Sequence, residues 1–181
     1  MSSKLDQLIA SYHSPDCEFN VDKSIEVCKE ILKINPDLIE FQENLACEYY
    51  NKKEYEKSIE LFNECIDKGS DNDDSYLMIA LSYVKLNQKE KALKTIKKTK
   101  DKENYFFNHL RVYEALEEYE KAIEYGDRLL ELDSENTFAL ILMSNMYDEI
   151  EVGGFKIPFK YSLFLKLLKG LDQLIISLKG V

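Results

Sequence analysis

The sequence predicts an all-α protein built from repeated helical hairpins, and three observations predict it. Only 6 glycines and 3 prolines punctuate 181 residues, which suits long helices joined by short connections. Tyrosines recur at Tyr49, Tyr83, Tyr113 and Tyr147, in steps of 34, 30 and 34 residues. Small residues recur at Ser24, Ser58, Ala92 and Ala122, in steps of 34, 34 and 30. In three units the tyrosine precedes the small residue by 9 positions, so two marker sets share one period and one phase.

The elements follow in order. In the first unit, Leu5, Leu8, Ile9 and Tyr12 fall at helical spacing, and a second helix carries Ser24, Cys28 and Ile31 before Pro36 ends it. Tyr12 to Ser24 is 12 positions rather than 9, so the connection 14–20 carries three extra residues. In the second unit, residues 41–51 align Leu45, Ala46 and Tyr49, and a polar break at Lys52, Lys53 and Glu54 follows. Residues 55–68 then align Tyr55, Ile59, Phe62 and Ile66. A small residue on each helix lets two backbones approach, and large residues one turn away fill the space around that contact. The third unit carries Tyr76, Ile79, Ala80 and Tyr83, then Ala92, Ile96 and Thr99. The 30-residue steps, Tyr83 to Tyr113 and Ala92 to Ala122, place a deletion of four residues between Ala92 and Tyr113, close to one turn of about 3.6 residues. The second helix of this unit, or its exit, is therefore expected to be a turn short. The fourth unit carries Phe106, Leu110, Tyr113, Tyr119, Ala122 and Leu129. There Leu110 stands where the first helix is otherwise small and Gly126 where the second is otherwise large, an exchange that conserves volume. Residues 137–150 repeat the first-helix pattern alone. Gly153, Gly154 and Pro158 mark a loop, and 159–179 reads as one long, almost uniformly apolar helix.

These residues resemble the tetratricopeptide repeat family, whose pattern W-x2-L-G-x2-Y followed by A-x3-F-x2-A-x4-P maps onto Leu45, Ala46, Tyr49, Ser58, Phe62, Cys65 and Ser70. It maps again onto Tyr76, Ile79, Ala80, Tyr83, Ala92, Ile96 and Thr99. The resemblance implies a right-handed α-solenoid with units at about 2–36, 39–72, 73–102 and 103–136, a first-type helix at 137–150, and a loop and capping helix at 151–181. It also implies a groove, lined by the first helices, that binds a protein or peptide partner. The family's groove phases fall in the second unit on Glu40, Glu43, Asn44, Cys47 and Asn51. In the third they fall on Asp74, Leu77, Met78, Leu81 and Lys85. In the fourth they fall on Asn104, Phe107, Asn108, Arg111 and Glu114, and in the last helix on Phe138, Ile141, Leu142, Asn145 and Asp148. The contacts expected to carry binding are Asn44, Leu77, Met78, Leu81, Phe107, Asn108, Arg111, Ile141, Leu142 and Asn145. The family's carboxylate clamp, which holds acidic tails through two lysines, two asparagines and an arginine, is not reproduced. Only Asn44 or Asn108 matches, depending on the unit where the clamp starts, and a clamp without its cations leaves ligand carboxylates unpaired.

Composition bounds the function. With 24 basic and 34 acidic residues the net charge is −10, which argues against nucleic acid as a partner. Residues 1–150 hold 19 basic and 32 acidic residues, −13, whereas 151–181 hold 5 and 2, +3. Residues 1–14 lack an unbroken apolar run for a leader. Cys17, Cys28, Cys47 and Cys65 are 11, 19 and 18 apart, too scattered for a zinc or redox motif, and read as buried free thiols of a reducing, cytoplasmic setting. The two histidines, His13 and His109, read as capping and packing residues, since no third group orients either as a base. No phosphate-cradling glycine loop appears, and Asp71, Asn72, Asp73 and Asp74 lack the glycine and distal glutamate of a calcium loop and read as a linker. No enzyme, cofactor or metal is expected. Eight lysines between 85 and 102 form either a basic stripe for an acidic partner or, the preferred reading, a solvated face opposite Glu60, Glu64 and Glu124.

The helix 159–179 cannot cross a membrane cheaply. Lys166, Lys169 and Asp172 cost about 2.5–3.5 kcal/mol each at a bilayer centre, more than its apolar residues return at roughly 0.3–0.6 each. Three readings stay open: a cap packed on the last repeat, a self-association surface through Phe164, Leu168, Leu171 and Ile175, or docking onto lipid or a partner.

Overall fold

The computed structural model describes residues 3–151, and every regular element among them is a helix. They run α1 (Lys4–Tyr12), α2 (Pro15–Glu18), α3 (Val21–Ile34), α4 (Ile39–Asn51), α5 (Tyr55–Asp67), α6 (Asp73–Lys85), α7 (Lys89–Ile96), α8 (Lys102–Ala115), α9 (Tyr119–Leu132) and α10 (Thr137–Glu151). Helices α4/α5, α6/α7 and α8/α9 pack as hairpins, α1 packs on α3 across the short α2, and α4, α6, α8 and α10 touch in succession. The helix expected at 159–179 lies outside the described residues.

Small side chains set the approach of the paired helices. Ala46, Ser58, Ala80, Ala92 and Ala122 are fully enclosed, so none of them faces water. Around them the core forms a file of neighbouring clusters rather than one centre. Ala46 packs with Ile59, Phe62 and Ile79, Ala80 and Ala92 with Leu77, Leu81, Ile96 and Val112, and Ala122 with Leu110, Leu129, Ala139 and Met143. Each unit thus buries its apolar face only against its neighbours, the arrangement expected of a stacked array.

The turn inside each hairpin repeats to the residue. Lys53, Asn87 and Glu117 have φ of 65°, 58° and 59°, and the next amide reaches back to the tyrosine marker. Glu54 N donates to Tyr49 O, Gln88 N to Tyr83 O and Glu118 N to Tyr113 O, at 2.9, 2.8 and 2.9 Å. This six-residue bond around a left-handed residue is a helix-ending motif that normally recruits glycine or asparagine. Lys53 and Glu117 carry a β-carbon into that region, at roughly 1 kcal/mol each. Lys53→Gly should therefore stabilise the full chain by up to about 1 kcal/mol, read as a raised urea midpoint with unchanged slope.

A cation sits over each of these tyrosines. Lys57 Nζ lies 5.1 Å from the Tyr49 ring centre, Lys91 5.4 Å from Tyr83 and Lys121 5.4 Å from Tyr113, so the lysine eight residues on closes each hairpin from outside.

The four-residue deletion falls where expected. Helix α7 has 8 residues against 13 in α5 and 14 in α9, and a polar latch holds the shortened exit. Asp73, buried in the first turn of α6, accepts from Lys100 N at 3.1 Å and Asp101 N at 2.9 Å. Asn108 donates to Asp73 O at 3.3 Å and Thr99 Oγ1 at 3.0 Å. Residues 71–74 are therefore not a mere linker: Asn72 caps α6 by accepting from Asp74 N, and Asp73 ties α6 to the loop before α8. A repeat missing a turn loses apolar overlap, and this carboxylate replaces it with bonds to backbone amides.

Two further details refine the sequence reading. The three extra residues after Tyr12 are ordered as α2, which buries Cys17 and lets Ser24 Oγ donate to Cys17 O at 2.9 Å. At Gly126 a β-carbon would lie 2.5 Å from Met143 Sδ, so the space left by the missing aromatic is filled by α10 as well as by the exchange with Leu110.

Candidate functional site

Helical periodicity puts residues three, four and seven apart on one stripe. On α4 that stripe runs Glu40, Glu43, Asn44 and Cys47, and on α6 Asp74, Leu77, Met78 and Leu81. On α8 it runs Asn104, Phe107, Asn108 and Arg111, and on α10 Phe138, Ile141, Leu142 and Asn145. Cross-helix neighbours join these stripes into one surface. Ser75 Oγ of α6 donates to Glu43 of α4 at 3.1 Å, and Cys47 packs on the cluster that holds Ile79 of α6; burial first, and then the carboxylates of Glu48, Glu43 and Asp74, push its thiol up to about 11. Tyr50 of α4, Met78 of α6 and Phe107 of α8 pack on one cluster around Leu77 and Leu81. Arg111 and Asn145 line one recess between α8 and α10 with Glu114, Ala115 and Met146.

The expected contact residues divide by depth. Phe138 and Ile141 are 72% and 42% exposed, large apolar side chains left in water. Asn145 is exposed, and Asn44, Met78, Phe107, Arg111 and Leu142 are half-buried. Leu77 and Leu81 are buried between hairpins and offer an edge at most. Asn108 must be corrected: it is wholly enclosed and its Nδ2 donates to Asp73 O and Thr99 Oγ1, so it ties units together and has no face toward a groove. Spacing could not separate these cases, because the positions i+3 and i+4 on a helix straddle the boundary between groove and packing.

Charge changes along the surface. Glu43 accepts from Ser70 Oγ, Asn72 Nδ2 and Ser75 Oγ at 2.6, 3.2 and 3.1 Å, so its oxygens are tied to the following turn. Arg111 is paired with Glu114 at 3.1 Å. Tyr50 belongs to this surface and was not singled out by the repeat, since it lies one position beside the marker Tyr49, whereas Glu48 lines a recess with Tyr12, His13, Glu18 and Ser24.

The lysine-rich segment pairs differently from expectation. Lys89 bridges to Glu118 and Lys100 to Asp71, while Glu64 and Glu124 are engaged by Gln42 and Arg128. Lys89 opens α7 next to the α8/α9 turn, and Lys100, in the loop after α7, stands beside the loop before α6.

His109 is buried and stacked, 4.5 Å from the Tyr125 ring and 4.1 Å from Tyr105, with Nδ1 2.7 Å from Tyr105 O. The carbonyl only accepts, so Nδ1 carries the proton. Burial holds the imidazole pKa below its usual value, the Tyr105 carbonyl opposes this, and Lys97 reinforces it. Its unfolded pKa is about 6.5, so below that the unfolded chain takes up a proton first and stability falls as pH drops toward the folded pKa. Replacing His109 with Phe should flatten the melting temperature between pH 7 and 5 relative to the parent. The thiols of Cys28 and Cys65 are likewise buried and pushed up to about 12 and about 11, burial being the larger cause in each. Cys17 is buried and Cys47 half-buried, and all four are free.

Among the described residues no cluster of three or more His, Cys, Asp or Glu could hold a metal ion, and no described helix is long and apolar enough to cross a membrane. The self-association candidates Phe164, Leu168, Leu171 and Ile175 lie outside the described residues.

Comparison with known proteins places three copies of the tetratricopeptide repeat model on residues 39–67, 73–98 and 104–136. Solved structures share the fold at low identity. MamA 41-end from Desulfovibrio magneticus RS-1 matches with TM-score 0.60 at 14% identity, covering 98% of each chain. A crystal structure of MamA matches with TM-score 0.60 at 16%, covering 94% of this chain and 98% of that one. YrrB, described as a TPR protein with an unusual peptide-binding site, matches with TM-score 0.51 at 16%, covering 81% and 74%.

Proposed function

The chain belongs to the tetratricopeptide repeat family, and from that premise we propose that it is an interaction scaffold that binds a peptide or helix of another protein on the surface formed by α4, α6, α8 and α10, without catalysis. The observation that carries this reading is the exposure of Phe138 and Ile141 on the stripe that continues through Arg111 and Met78. Burying a Phe or Ile side chain is worth about 1.5–3 kcal/mol, so a partner covering this pair gains directly. Likeness to YrrB, which has a peptide-binding site by its description, is in keeping with the same use. The non-catalytic part of the reading rests on the two histidines: His109 is enclosed by tyrosines and bonded to a backbone carbonyl, and His13 ends α1 as its C-cap.

Phe138→Glu with Ile141→Glu in the full chain should abolish capture of the native partner while leaving the helical signal and melting temperature unchanged. Glu26→Lys with Glu30→Lys, exposed on α3, should leave capture intact. Equal capture by the groove variant and the parent would defeat the proposal. Leu81 is unsuited to this test, because a charge at its buried site would unfold the hairpin rather than probe the surface.

A further inference from the structure

The surface is divided along its length. Its α8–α10 end is apolar, with Phe107, Phe138, Ile141 and Leu142, whereas its α4–α6 end gathers carboxylates. Glu43 on α4 is bonded to Ser75 on α6 and to Asn72, the cap residue two positions before Asp74, so carboxylates of two helices stand close together at this end. Glu40 is exposed one turn before Asn44 on the same stripe, and Asp74 is exposed one turn before Met78. The cations at the groove phases are Lys85 and Arg111, and Arg111 is already paired with Glu114. The field at the α4–α6 end therefore repels an acidic ligand and attracts a basic one. The net charge of −13 over residues 1–150 acts in the same direction at longer range.

Resting on the groove reading above, we infer that the occupant is a cationic, amphipathic peptide segment of another protein, with lysines or arginines seated against Glu40 and Asp74 and an apolar stretch covering Phe107, Phe138 and Ile141. The apolar half supplies the burial that holds the segment. The acidic half sets its direction and rejects the acidic tails that a carboxylate clamp would take. Glu43 contributes field rather than a direct contact, since its oxygens are occupied by Ser70, Asn72 and Ser75.

The test uses the full chain and two labelled synthetic probes of equal length. One has a lysine-rich half and a leucine-rich half, and the other replaces every lysine with glutamate. The lysine probe should bind more tightly than the glutamate probe, and raising salt from low to high should weaken it roughly tenfold. Glu40→Lys with Asp74→Lys should weaken the lysine probe by about tenfold or more and strengthen the glutamate probe. Phe138→Glu with Ile141→Glu should weaken both probes, and Glu26→Lys with Glu30→Lys should change neither. An equal response to the α3 pair and the groove pair would reduce the attraction to overall charge and overturn the inference. Preference for the glutamate probe, still lost on changing Phe138 and Ile141, would overturn the ligand chemistry while keeping the groove. Indifference of both probes to every groove substitution would overturn the groove reading itself. Self-association of the full chain that the Phe138 and Ile141 changes abolish would identify a second copy as occupant and likewise overturn the inference.

Discussion

Replacing Asp73 with Ala should destabilise the full chain by about 3 kcal/mol. The carboxylate is buried and accepts two backbone amides, Lys100 N and Asp101 N, at 3.1 and 2.9 Å. Hydrogen bonds to a charged group are worth about 1.5–3 kcal/mol, and a buried donor left without an acceptor adds a desolvation penalty of about 1–3 kcal/mol. Water entering the vacated site recovers part of that sum, which sets the expected loss near its lower half. The loss should be cooperative, because the loop 97–101 lies between two hairpins and its release frees α8 from α6. Asp73→Asn tests the role of the charge separately: one amide oxygen can still accept one of the two N–H groups, so roughly half of the loss should return. Chemical denaturation monitored by circular dichroism reads both variants. If Asp73→Ala were neutral, the latch would be incidental and the shortened unit would be held by apolar contacts alone.

Enlarging a small residue at a hairpin contact should cost at least as much. Ala80 is fully enclosed beside Ala92, Leu77, Leu81 and Ile96. Ala80→Leu adds three carbon atoms where two backbones meet, and overpacking of a closed site costs typically 1–3 kcal/mol and sometimes more. We expect about 3 kcal/mol, because relief requires moving α6 away from α7 and so disturbs the next unit as well. A leucine at the exposed Lys94 on α7 serves as the control and should stay within about 0.5 kcal/mol of the parent. A neutral Ala80→Leu would mean that the hairpin tolerates separation and that small residues do not set its geometry.

The scaffold could be read from the sequence because its markers are chemically forced. A close approach of two helices admits only small side chains, so Ala46, Ser58, Ala80, Ala92 and Ala122 report the contact wherever they recur. A deletion of nearly one turn likewise predicts a short α7 without any knowledge of packing. The binding surface was legible only in outline. Helical phase assigns a residue to a stripe, but the edge of that stripe depends on how far the neighbouring hairpin rotates, and this decided against Asn108 and left Leu77 and Leu81 mostly covered. The latch was invisible for a related reason. Asp73 stands in a run of acidic residues that resembles a solvated linker, and only the path of the chain 27 and 28 residues later supplies its partners. The partners of the lysines were not legible because Lys89 opens α7 beside the α8/α9 turn and Lys100 lies in the loop after α7 beside Asp71, placements that depend on how successive hairpins stack.

The central claim is that the first helices of successive units form one continuous binding face. Hydroxyl-radical footprinting of the full chain, with and without the lysine–leucine probe, tests it most directly. The account predicts that bound probe slows labelling at Met78, Phe107, Phe138 and Ile141 together while Phe19 and Ile34 are labelled as before. Protection confined to the second helices α5, α7 and α9, with Phe138 and Ile141 unaffected, would contradict it.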